Sequence, residues 1–452
     1  MTRVLVVAGE PVGDVMAGPA IRSLELARVL ARHCEVTLAA PPPSELEDAG
    51  IALLHATQED FDVLHGALRT HDVVVAQQLP AQLLRYVTKL PVRYVADLYN
   101  PSMIELLEAM ADAGVPREQA VARRLTRAVF AQCAAADFLL CASEKQRDLW
   151  IGGLGLSGLI DLETYRRDRT YRAVIDVVPF GLSDRAAVHA RPVLKGVWPG
   201  IGPDDHVLLW GGGIWRWLDP LTPIKAAERL AAQGRRDVHL FFLGVQRPAG
   251  AGQVVPSGAE AAMAYARERG LDGTCVHFNQ GWVPYDERQS YLLEADLGIS
   301  AHHDHLETRY SFRTRVLDYL WAGLPMVLTR GDSMADLAER DDLGVTVDAE
   351  DDEGFARACA GLLDDRDRRE ATAARVREAA ASFRWEQAAR PLVDYCTGLA
   401  ERPPRRRDTR TVALATYGQY PAILANAVRT QGPRGVARRV GRQVGRVLRH
   451  GV

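Results

Sequence analysis

The sequence predicts an α/β protein made of two doubly wound domains in series, followed by a basic C-terminal tail. Short, continuous apolar runs alternate with amphipathic stretches of helical length, which is typical of parallel strands covered by helices on both faces. This alternation occurs twice along the chain, and the 452 residues exceed the roughly 100–200 residues of one ordinary domain. We therefore expect two sheets, each with its own core.

The composition indicates a globular protein of the cytoplasm. Hydrophobic residues make up 47% of the chain, yet no run approaches the ~18 apolar residues that a membrane-spanning helix needs. The apolar run at the N-terminus is short and is followed by Glu10, so we interpret it as a strand and not as a signal peptide. The six cysteines are scattered, without a C-x-x-C pair, which indicates reduced thiols rather than a disulfide framework.

The net charge of −3 hides an asymmetry between the body of the chain and its end. Residues 401–452 contain twelve arginines and no lysine against Glu401 and Asp408, a charge of about +10, which leaves about −13 on the rest. A basic tail on an acidic body favours a polyanionic partner. We expect this partner to be an anionic membrane surface, with peripheral binding at the inner face of the membrane, and we expect no nucleic acid.

The valines and arginines of residues 430–452 recur at helical spacing, which predicts an amphipathic helix lying on anionic lipid. A disordered basic tail is the alternative.

The first domain is predicted at residues 1–195. A first strand at residues 4–8 leads into a glycine-rich loop, in which Gly18 permits close approach of a ligand to the backbone, and a helix follows from Ala20. Residues 151–195 are predicted to be a loop-rich passage between the domains. The other predicted strands lie at residues 35–40, 72–76, 93–97 and 138–142.

The second domain is predicted at residues 196–382, with a closing helix at 383–400 and the basic tail at 401–452. Residues 402–407 are interpreted as a linker. A helix is predicted at residues 221–232. The predicted strands lie at residues 206–210, 238–243, 274–278, 297–300, 326–329 and 344–347.

Three consecutive glycines, Gly211, Gly212 and Gly213, stand between the first strand and the first helix of the second domain. Their N–H groups and the positive helix end could hold a phosphate; a tight turn is the alternative. The spacing is neither G-x-G-x-x-G nor a P-loop, which argues against a dinucleotide or Walker-type site. In the loop that follows, Trp215 and Trp217 bracket Arg216 and could pack on a sugar face or plug the domain cleft.

The segment 300–328 is predicted to run from a strand through a polar loop and a helix to the next strand, which places its loop at the carboxyl edge of the sheet. Arg309, Arg313 and Arg315 precede or begin the helix that carries Asp318. Because the planar donors of arginine match phosphate oxygens, these side chains favour a diphosphate site over a solvated charge run.

The loop also contains His302, His303, Asp304 and His305, followed by Glu307. Consecutive side chains of an extended loop point apart and cannot all bind one ion, so we expect no metal site. A histidine that donates a proton or contacts a sugar is the better interpretation. Glu307 could accept hydrogen bonds from sugar hydroxyls or pair with a nearby arginine.

A strand of the first domain ends at Asp97 and is followed by Asn100 and Pro101. Together with Gly18, this stretch is predicted to form the acceptor-side wall of the cleft, with Asp97 as a catalytic candidate. An Asx-turn before the proline is the alternative.

The segment 317–327, the helix start at 17–27 and the segment 281–287 resemble glycosyltransferase family 4, in the group of GT-B glycosyltransferases, over residues 3 to about 399. This resemblance implies two Rossmann-like domains facing a cleft and a retaining transferase that uses a nucleotide-diphosphate sugar without an obligatory metal or other cofactor. It also implies that Trp282 and Val283 border the nucleotide base. The family's E-x7-E pattern places its second acid at Asp318 and its first at position 310, where this chain has Tyr310.

From these residues we predict a glycosyltransferase that moves a sugar to an envelope glycan, a glycolipid or a natural product. The predicted catalytic residues are Glu307, His303, His305 and Asp97. The predicted donor-binding residues are Gly211, Gly212, Gly213, Arg216, Trp282, Val283, Arg313, Arg315 and Asp318. A nucleotide-sugar epimerase of the same fold is the first alternative, and a catalytically inactive scaffold protein is the second.

Overall fold

Two parallel sheets form the framework of the molecule. The computed structural model describes residues 1–13, 16–48, 50–111, 115–245, 258–281, 283–284 and 287–417. Within these ranges no helix is long and apolar enough to cross a membrane.

The N-terminal sheet has seven strands in the order β3-β2-β1-β4-β5-β6-β7. The strands are β1 (Arg3–Val7), β2 (Glu35–Ala40), β3 (Ile51–His55), β4 (Val73–Ala76), β5 (Arg93–Asp97), β6 (Phe138–Cys141) and β7 (Ile175–Val177). The helices are α1 (Gly18–Ala31), α2 (Phe61–Thr70), α3 (Ala81–Val87), α4 (Ser102–Ala109), α5 (Val115–Ala135), α6 (Glu144–Leu156) and α7 (Leu162–Arg167). The central strands β1, β4 and β6 are almost entirely buried, as their continuous apolar runs predict.

The C-terminal sheet has six strands in the order β10-β9-β8-β11-β12-β13. The strands are β8 (His206–Trp210), β9 (Val238–Phe242), β10 (Val276–Phe278), β11 (Leu297–Ser300), β12 (Met326–Thr329) and β13 (Gly344–Val347). The helices up to the end of this sheet are α8 (Leu221–Ala232), α9 (Ala259–Glu268), α10 (Arg288–Glu294), α11 (Leu306–Tyr310), α12 (Thr314–Ala322) and α13 (Ser333–Arg340). They are followed by α14 (Asp352–Asp364), α15 (Arg366–Ala380), α16 (Trp385–Ala388), α17 (Arg390–Thr397) and α18 (Thr409–Tyr417).

The strand order of each sheet reverses at its first strand, between β1 and β4 and between β8 and β11. In open parallel sheets a ligand binds outside the carboxyl ends of the strands at such a reversal. The glycine turn after β8 and the polar loop after β11 therefore lie side by side, with Trp210 paired to Ile299 in the register of the two strands. The predicted two-domain α/β fold is confirmed.

The structure contains two strands that the sequence patterns did not indicate. β3 is only partly buried, so its residues lack the continuous apolar run by which the other strands were recognised. β7 is three residues long and lies in the passage predicted to be loop-rich. This passage also contains the end of α6 and the whole of α7, so residues 151–177 complete the N-terminal domain.

The predicted closing helix is divided in two, and the start of the predicted tail packs against the protein. α17 begins at Arg390 with Pro391 in its first turn; a proline lacks the N–H that a continuous helix needs there, so α16 ends before it. Arg405 is buried and donates to the carbonyl oxygens of Cys133, Ala136 and Leu159. The interpretation of residues 402–407 as a linker is therefore wrong.

The chain passes between the domains twice, and the two connecting segments run beside each other. The Leu182 N–H donates to the Phe383 carbonyl oxygen at 2.7 Å, and the Trp385 N–H donates to the Leu182 carbonyl oxygen at 3.3 Å. The Trp385 ring covers Gly181, where a Cβ atom would lie only 2.4 Å from the ring. A side chain at Gly181 would thus force the two connecting segments apart.

Candidate active site

The glycine turn after β8 is held in place by one tyrosine of α12. Tyr319 is fully buried, and its hydroxyl accepts a hydrogen bond from the Gly211 N–H at 2.9 Å. The prediction that all three glycine N–H groups face a phosphate does not hold for Gly211, because its N–H is already used. Gly212, which has a left-handed φ of 84°, and Gly213 are exposed and leave their backbone open to a ligand.

Arg315 lies directly against this turn. Its Nη2 donates to the Gly213 carbonyl oxygen at 2.9 Å, and its guanidinium lies 4.6 Å from the centre of the Trp210 ring. Its Nη1 is buried and has no hydrogen-bond partner in the described part of the chain. Burial lowers the pKa of Arg315 to about 10, so the group remains a cation at neutral pH and has one donor available for an anion.

Asp318 lies on the helix that carries Arg315. Its Oδ1 lies 3.2 Å from Nη2 of Arg288, and its side chain is 23% exposed. Burial raises the pKa of Asp318, and the charges of Arg288 and Arg315 oppose this shift. The carboxylate thus has one ion-pair partner, Arg288, and remains accessible to hydroxyl donors.

The other predicted donor-binding residues lie around the same sheet edge or outside the described ranges. Arg216 is half-buried between β8 and α8, and Val283 is partly buried against the core. Trp282 lies outside the described residues. Trp215 and Trp217 stack on each other with ring centres 5.5 Å apart.

Glu307 and Arg313 form a buried ion pair. Nη1 of Arg313 donates to Oε1 of Glu307 at 2.9 Å and its Nη2 donates to Oε2 at 2.7 Å. Glu307 is 1% exposed and Arg313 is 7% exposed. Of the two alternatives for Glu307, the structure therefore favours pairing with an arginine, and the predicted roles of the two residues in catalysis and donor binding stay predictions.

The ion pair continues into a buried network across the carboxyl ends of β11 and β12. Nε of Arg313 lies 3.6 Å from Oδ2 of Asp332, and Nε2 of His302 lies 3.0 Å from the same oxygen. Asp332 also caps α13 by accepting from two backbone N–H groups. Burial alone would raise the pKa of Asp332, but the hydrogen bond and charge of His302 and the charge of Arg313 together lower it. Through its cap and these side-chain contacts, Asp332 connects the start of α13 to His302 and Arg313.

The two histidines predicted to be catalytic differ in the contacts of their ring nitrogens. Nε2 of His305 lies 3.1 Å from the Trp217 carbonyl oxygen, and Nδ1 accepts from the Thr308 N–H as the N-cap of α11. Both nitrogens of His305 are thus engaged, which favours a positioning role. Nδ1 of His303 lies 3.0 Å from a Glu350 carboxylate oxygen, and its side chain is 43% exposed. A catalytic role for either histidine stays a prediction.

Asp97 ends β5 in a buried ion pair with Arg22. Nε and Nη2 of Arg22 donate to the two Asp97 oxygens, each at 2.7 Å, and Arg22 also donates to the carbonyl oxygens of Val178 and Pro179. Loss of one partner from such a pair costs about 3–5 kcal/mol because a buried charge is left behind. This geometry favours a structural role for Asp97, and its predicted catalytic role stays a prediction.

The acceptor-side wall contains an acid that the sequence analysis did not single out. Nδ2 of Asn100 donates to Oε2 of Glu105 at 2.8 Å, and α4, which carries Glu105, packs against α11. Burial raises the pKa of Glu105 to about 7, the hydrogen bond from Asn100 lowers it, and the charge of Glu307 adds to the rise. Gly18 begins α1 and is exposed, with nothing within 4 Å of the place where a Cβ would be.

The N-terminal domain also reaches α11 through the start of α6. Nε2 of Gln146 donates to the Tyr310 carbonyl oxygen at 2.9 Å. Nζ of Lys145 donates to the Gly331 carbonyl oxygen at 2.9 Å and lies 2.5 Å from an Asp336 carboxylate oxygen. Position 310 thus contributes its backbone to a contact between the domains.

Local sequence patterns give little indication of these contacts. Asp332 stands before a helix, where an aspartate is a common cap, and this signal could have been used. Glu105, Gln146 and Lys145 look like ordinary polar residues of helices, because only the packing of the two domains brings them to the cleft. Among the described residues no group of three or more histidine, cysteine, aspartate or glutamate side chains has the arrangement of a metal site.

Most of the second domain matches a known protein family. Residues 206–365 match the family described as glycosyl transferases group 1. A D-inositol 3-phosphate glycosyltransferase from Corynebacterium kroppenstedtii is 26% identical over 225 residues, which cover 50% of this chain and 46% of that protein. The chain thus spans about half the length of the curated relative that it matches.

Solved structures match nearly the whole chain at low sequence identity. WaaG, a glycosyltransferase involved in lipopolysaccharide biosynthesis, has a TM-score of 0.58 at 18% identity and covers 87% of this chain and 100% of its own. Sucrose-phosphate synthase from Thermosynechococcus elongatus has a TM-score of 0.62 at 13% identity, covering 89% and 100%. HepE from Anabaena, solved in complex with UDP, has a TM-score of 0.60 at 12% identity, covering 88% and 100%.

The solved structures establish the fold, and the family match covers residues 206–365 of the second domain. The site geometry agrees with both, since the glycine turn and Arg315 lie at the strand-order reversal of the matched domain. The chain is therefore similar, as predicted, to GT-B glycosyltransferases: residues 206–365 match glycosyl transferases group 1, and the fold is that of WaaG.

Proposed function

We propose that this protein transfers a sugar from a nucleotide-diphosphate donor to an acceptor, with the donor bound to the C-terminal domain. The observation that carries the proposal is the buried Nη1 of Arg315, which lacks an acceptor in the described part of the chain, beside the exposed glycines 212 and 213. A buried N–H donor without an acceptor is unfavourable, and a diphosphate oxygen would satisfy it. The UDP complex of HepE supports a nucleotide donor.

In the proposed reaction the bond from the sugar carbon to the diphosphate breaks while a bond to an acceptor hydroxyl forms on the same face of the sugar. The acceptor proton passes to the leaving diphosphate. Arg315 and the open glycine N–H groups stabilise the negative charge that develops on the leaving oxygen. Since arginine supplies this charge, we propose that the reaction needs no obligatory metal, and we expect activity to survive treatment with EDTA.

Asp318 would accept hydrogen bonds from the ribose hydroxyls of the donor. Its accessible carboxylate and its place one turn after Arg315 support this role. Arg313 would act by holding Glu307 beside the sugar. The N-terminal wall with Gly18, Asn100 and Glu105 would receive the acceptor, and closure of the domains would exclude water from the donor.

Arg315→Ala and Arg315→Lys test this assignment. Loss of a charge-assisted hydrogen bond to phosphate costs about 1.5–3 kcal/mol, so Arg315→Ala should bind UDP roughly ten- to a hundredfold more weakly by calorimetry. A lysine keeps the charge but loses the planar donors, so the UDP affinity of Arg315→Lys should lie between those of the unmodified protein and Arg315→Ala. Arg288→Lys, which keeps the charge beside Asp318, is the control. Unchanged UDP affinity in Arg315→Ala and Asp318→Ala would disprove the proposed donor site.

The donor nucleotide and the sugar can be identified with thermal shifts across UDP, dTDP and GDP sugars, because a bound donor stabilises the folded state. Incubation of the stabilising donor without acceptor then separates a transferase from an epimerase, since only the epimerase converts the sugar under these conditions.

We also propose that the protein works in the cytoplasm at an anionic membrane surface. The seven arginines of residues 418–452, without any acidic residue, support this location. The acceptor would then be a lipid-linked or envelope molecule.

A further inference from the structure

An exposed apolar cluster lies at the end of α6 and in α7, in residues that the candidate active site does not use. Its four side chains are Leu156, Ile160, Leu162 and Tyr165, with exposures of 96%, 37%, 61% and 46%. Single exposed apolar residues are ordinary. Four of them within ten consecutive residues are a local concentration of exposed apolar surface, and such concentrations mark interaction sites. We refer to these four residues as the 156–165 cluster.

The backbone turn that carries the cluster has a fixed geometry. The Leu159 N–H donates to the Leu154 carbonyl oxygen at 2.9 Å, and the Gly158 N–H donates to the Gly155 carbonyl oxygen at 3.1 Å. With a φ of 69° at Gly158, this is the Schellman arrangement that ends a helix. The turn places Leu156 on the last helical residue with its side chain in solvent.

The fold does not depend on the exposed side chains. Leu154, Leu159 and Tyr171 are buried beneath the turn. The Leu159 carbonyl oxygen accepts from Nη2 of Arg405 at 2.9 Å, and Asp161 caps α7 by accepting from the Thr164 N–H at 2.7 Å. Because buried residues hold the turn from below, the four apolar side chains are available for an external partner.

The charges beside the cluster favour an anionic partner. The three acids of this segment are engaged within the protein: Asp161 caps α7, Glu163 pairs with Arg167, and Asp168 accepts from the Thr170 and Ala173 N–H groups. Arg166 and Arg169, by contrast, are exposed, and neither forms an ion pair within the described ranges. Arg405 attaches the C-terminal segment at this turn, and the chain after residue 417 adds seven arginines and no acidic residue. At a lipid interface, apolar side chains meet the acyl chains, tyrosines lie at the boundary and arginines contact the headgroups. The projecting apolar side chains, the tyrosine and the flanking arginines of this segment match this arrangement.

We propose that the 156–165 cluster inserts into the interface of an anionic membrane, with Leu156 and Leu162 at the acyl boundary and Arg166 and Arg169 at the headgroups. This inference rests on the proposed membrane location and adds a second contact to residues 430–452. Lipid is favoured over a protein partner because a side chain that is 96% exposed projects from the surface, and a bilayer accepts such a tip without a preformed groove.

A fluorescent probe at one position of the cluster tests insertion directly. Leu162→Cys, labelled with an environment-sensitive nitrobenzoxadiazole dye in the full chain, should increase and blue-shift its emission with vesicles containing about one third phosphatidylglycerol in phosphatidylcholine. Val188→Cys has the same 61% exposure and is the matched control. It should not respond, and the six native cysteines are buried and should remain unlabelled.

Vesicle co-sedimentation gives the second measurement. The double substitution Leu156→Ser and Leu162→Ser should weaken binding to the anionic vesicles about tenfold or more, because two apolar side chains no longer enter the lipid. Its thermal unfolding should match that of the unmodified protein. Leu107→Ser, at a 47% exposed leucine of α4, should bind as the unmodified protein does.

Three outcomes overturn the inference. If the unmodified protein sediments with the vesicles while the 162 probe stays silent, the basic C-terminal segment binds alone and the membrane location survives. If the protein does not bind the anionic vesicles at all, the membrane location fails as well. If the 162 probe responds to protein concentration without vesicles, the cluster joins two copies of this chain.

Discussion

Three arginines near the cleft have two different kinds of partner. Arg22 is paired with Asp97 and Arg313 with Glu307, and both arginines are buried. Arg315 instead contacts a backbone carbonyl and the Trp210 ring, and its Nη1 lacks a partner within the described ranges. The first two therefore stabilise the walls of the site, whereas Arg315 can bind a substrate anion.

Glu105 makes stability depend on pH in one direction. Its pKa is about 7 in the folded protein against 4.5 when exposed, so the folded state holds the proton more tightly and loses stability as pH rises from about 4.5 to 7. The loss amounts to about 1–3 kcal/mol. The melting temperature of Glu105→Gln, relative to that of the unmodified protein, should therefore be higher at pH 8 than at pH 5. Glu108→Gln on the same helix is the control, and equal pH profiles for all three proteins would contradict the prediction.

His277 makes the stability of the protein depend on pH in the opposite direction. Burial, together with the charge of His239, lowers its pKa to about 4, and its Nε2 lies 3.1 Å from Nδ1 of His239, which in turn contacts Asp205. The folded state disfavours the proton, so stability is complete above about pH 6.5 and falls as pH drops towards 4, by up to about 3 kcal/mol.

His277→Gln should therefore lose less thermal stability between pH 6.5 and 4.5 than the unmodified protein, as measured by calorimetric melting at each pH. His303→Gln, which changes an exposed histidine, is the control. A steeper loss in His277→Gln would show that the buried imidazole is not the group that titrates.

At the scale of secondary structure, one hydroxyl group joins two strands and a helix. The Tyr319 hydroxyl lies 3.0 Å from the Leu209 carbonyl oxygen and 2.6 Å from the Ile299 carbonyl oxygen, and it accepts from the Gly211 N–H. The ring has room because residue 298 is a glycine; a Cβ there would lie 2.5 Å from it. The glycine turn is thus positioned by a helix that follows three further strands along the chain.

Tyr319→Phe should destabilise the protein by about 1–3 kcal/mol, since the Gly211 N–H is left buried without its acceptor. It should also weaken UDP binding, because the glycine turn loses its support. Both effects can be measured by denaturant unfolding and calorimetry. Tyr291→Phe removes a hydroxyl without a hydrogen bond among the described residues and should change neither quantity. If Tyr319→Phe keeps full stability, the hydroxyl does not fix the turn.

At the scale of the whole molecule, the C-terminal segment returns to the N-terminal domain. Arg407 donates to the carbonyl oxygens of Val87 and Leu90 and to a carboxylate oxygen of Asp137. Val412 of α18 is fully buried in the core of that domain. Residues 405–412 are therefore part of the N-terminal domain although they follow the last helices of the C-terminal one.

A chain that ends at residue 400 should unfold at a temperature several degrees lower than a chain that ends at Tyr417. The shorter chain leaves the Asp137 carboxylate without Arg407 and exposes the apolar surface that Val412 covers, a loss of several kcal/mol. Calorimetry of the two truncated chains measures the difference. Equal melting temperatures would mean that these contacts do not stabilise the domain.

The two-domain fold and most strands could be predicted from the sequence, because continuous apolar runs indicate burial on both faces of a sheet. The sequence also indicated the glycine turn, which directly follows a strand, and Arg315, which stands at the start of the helix after the polar loop. Only the tertiary structure decided which charges remain available. Arg22 and Asp97 are 75 residues apart, and Glu105 and Glu307 belong to different domains, so no local pattern could reveal that packing neutralises one pair and brings the other two acids together.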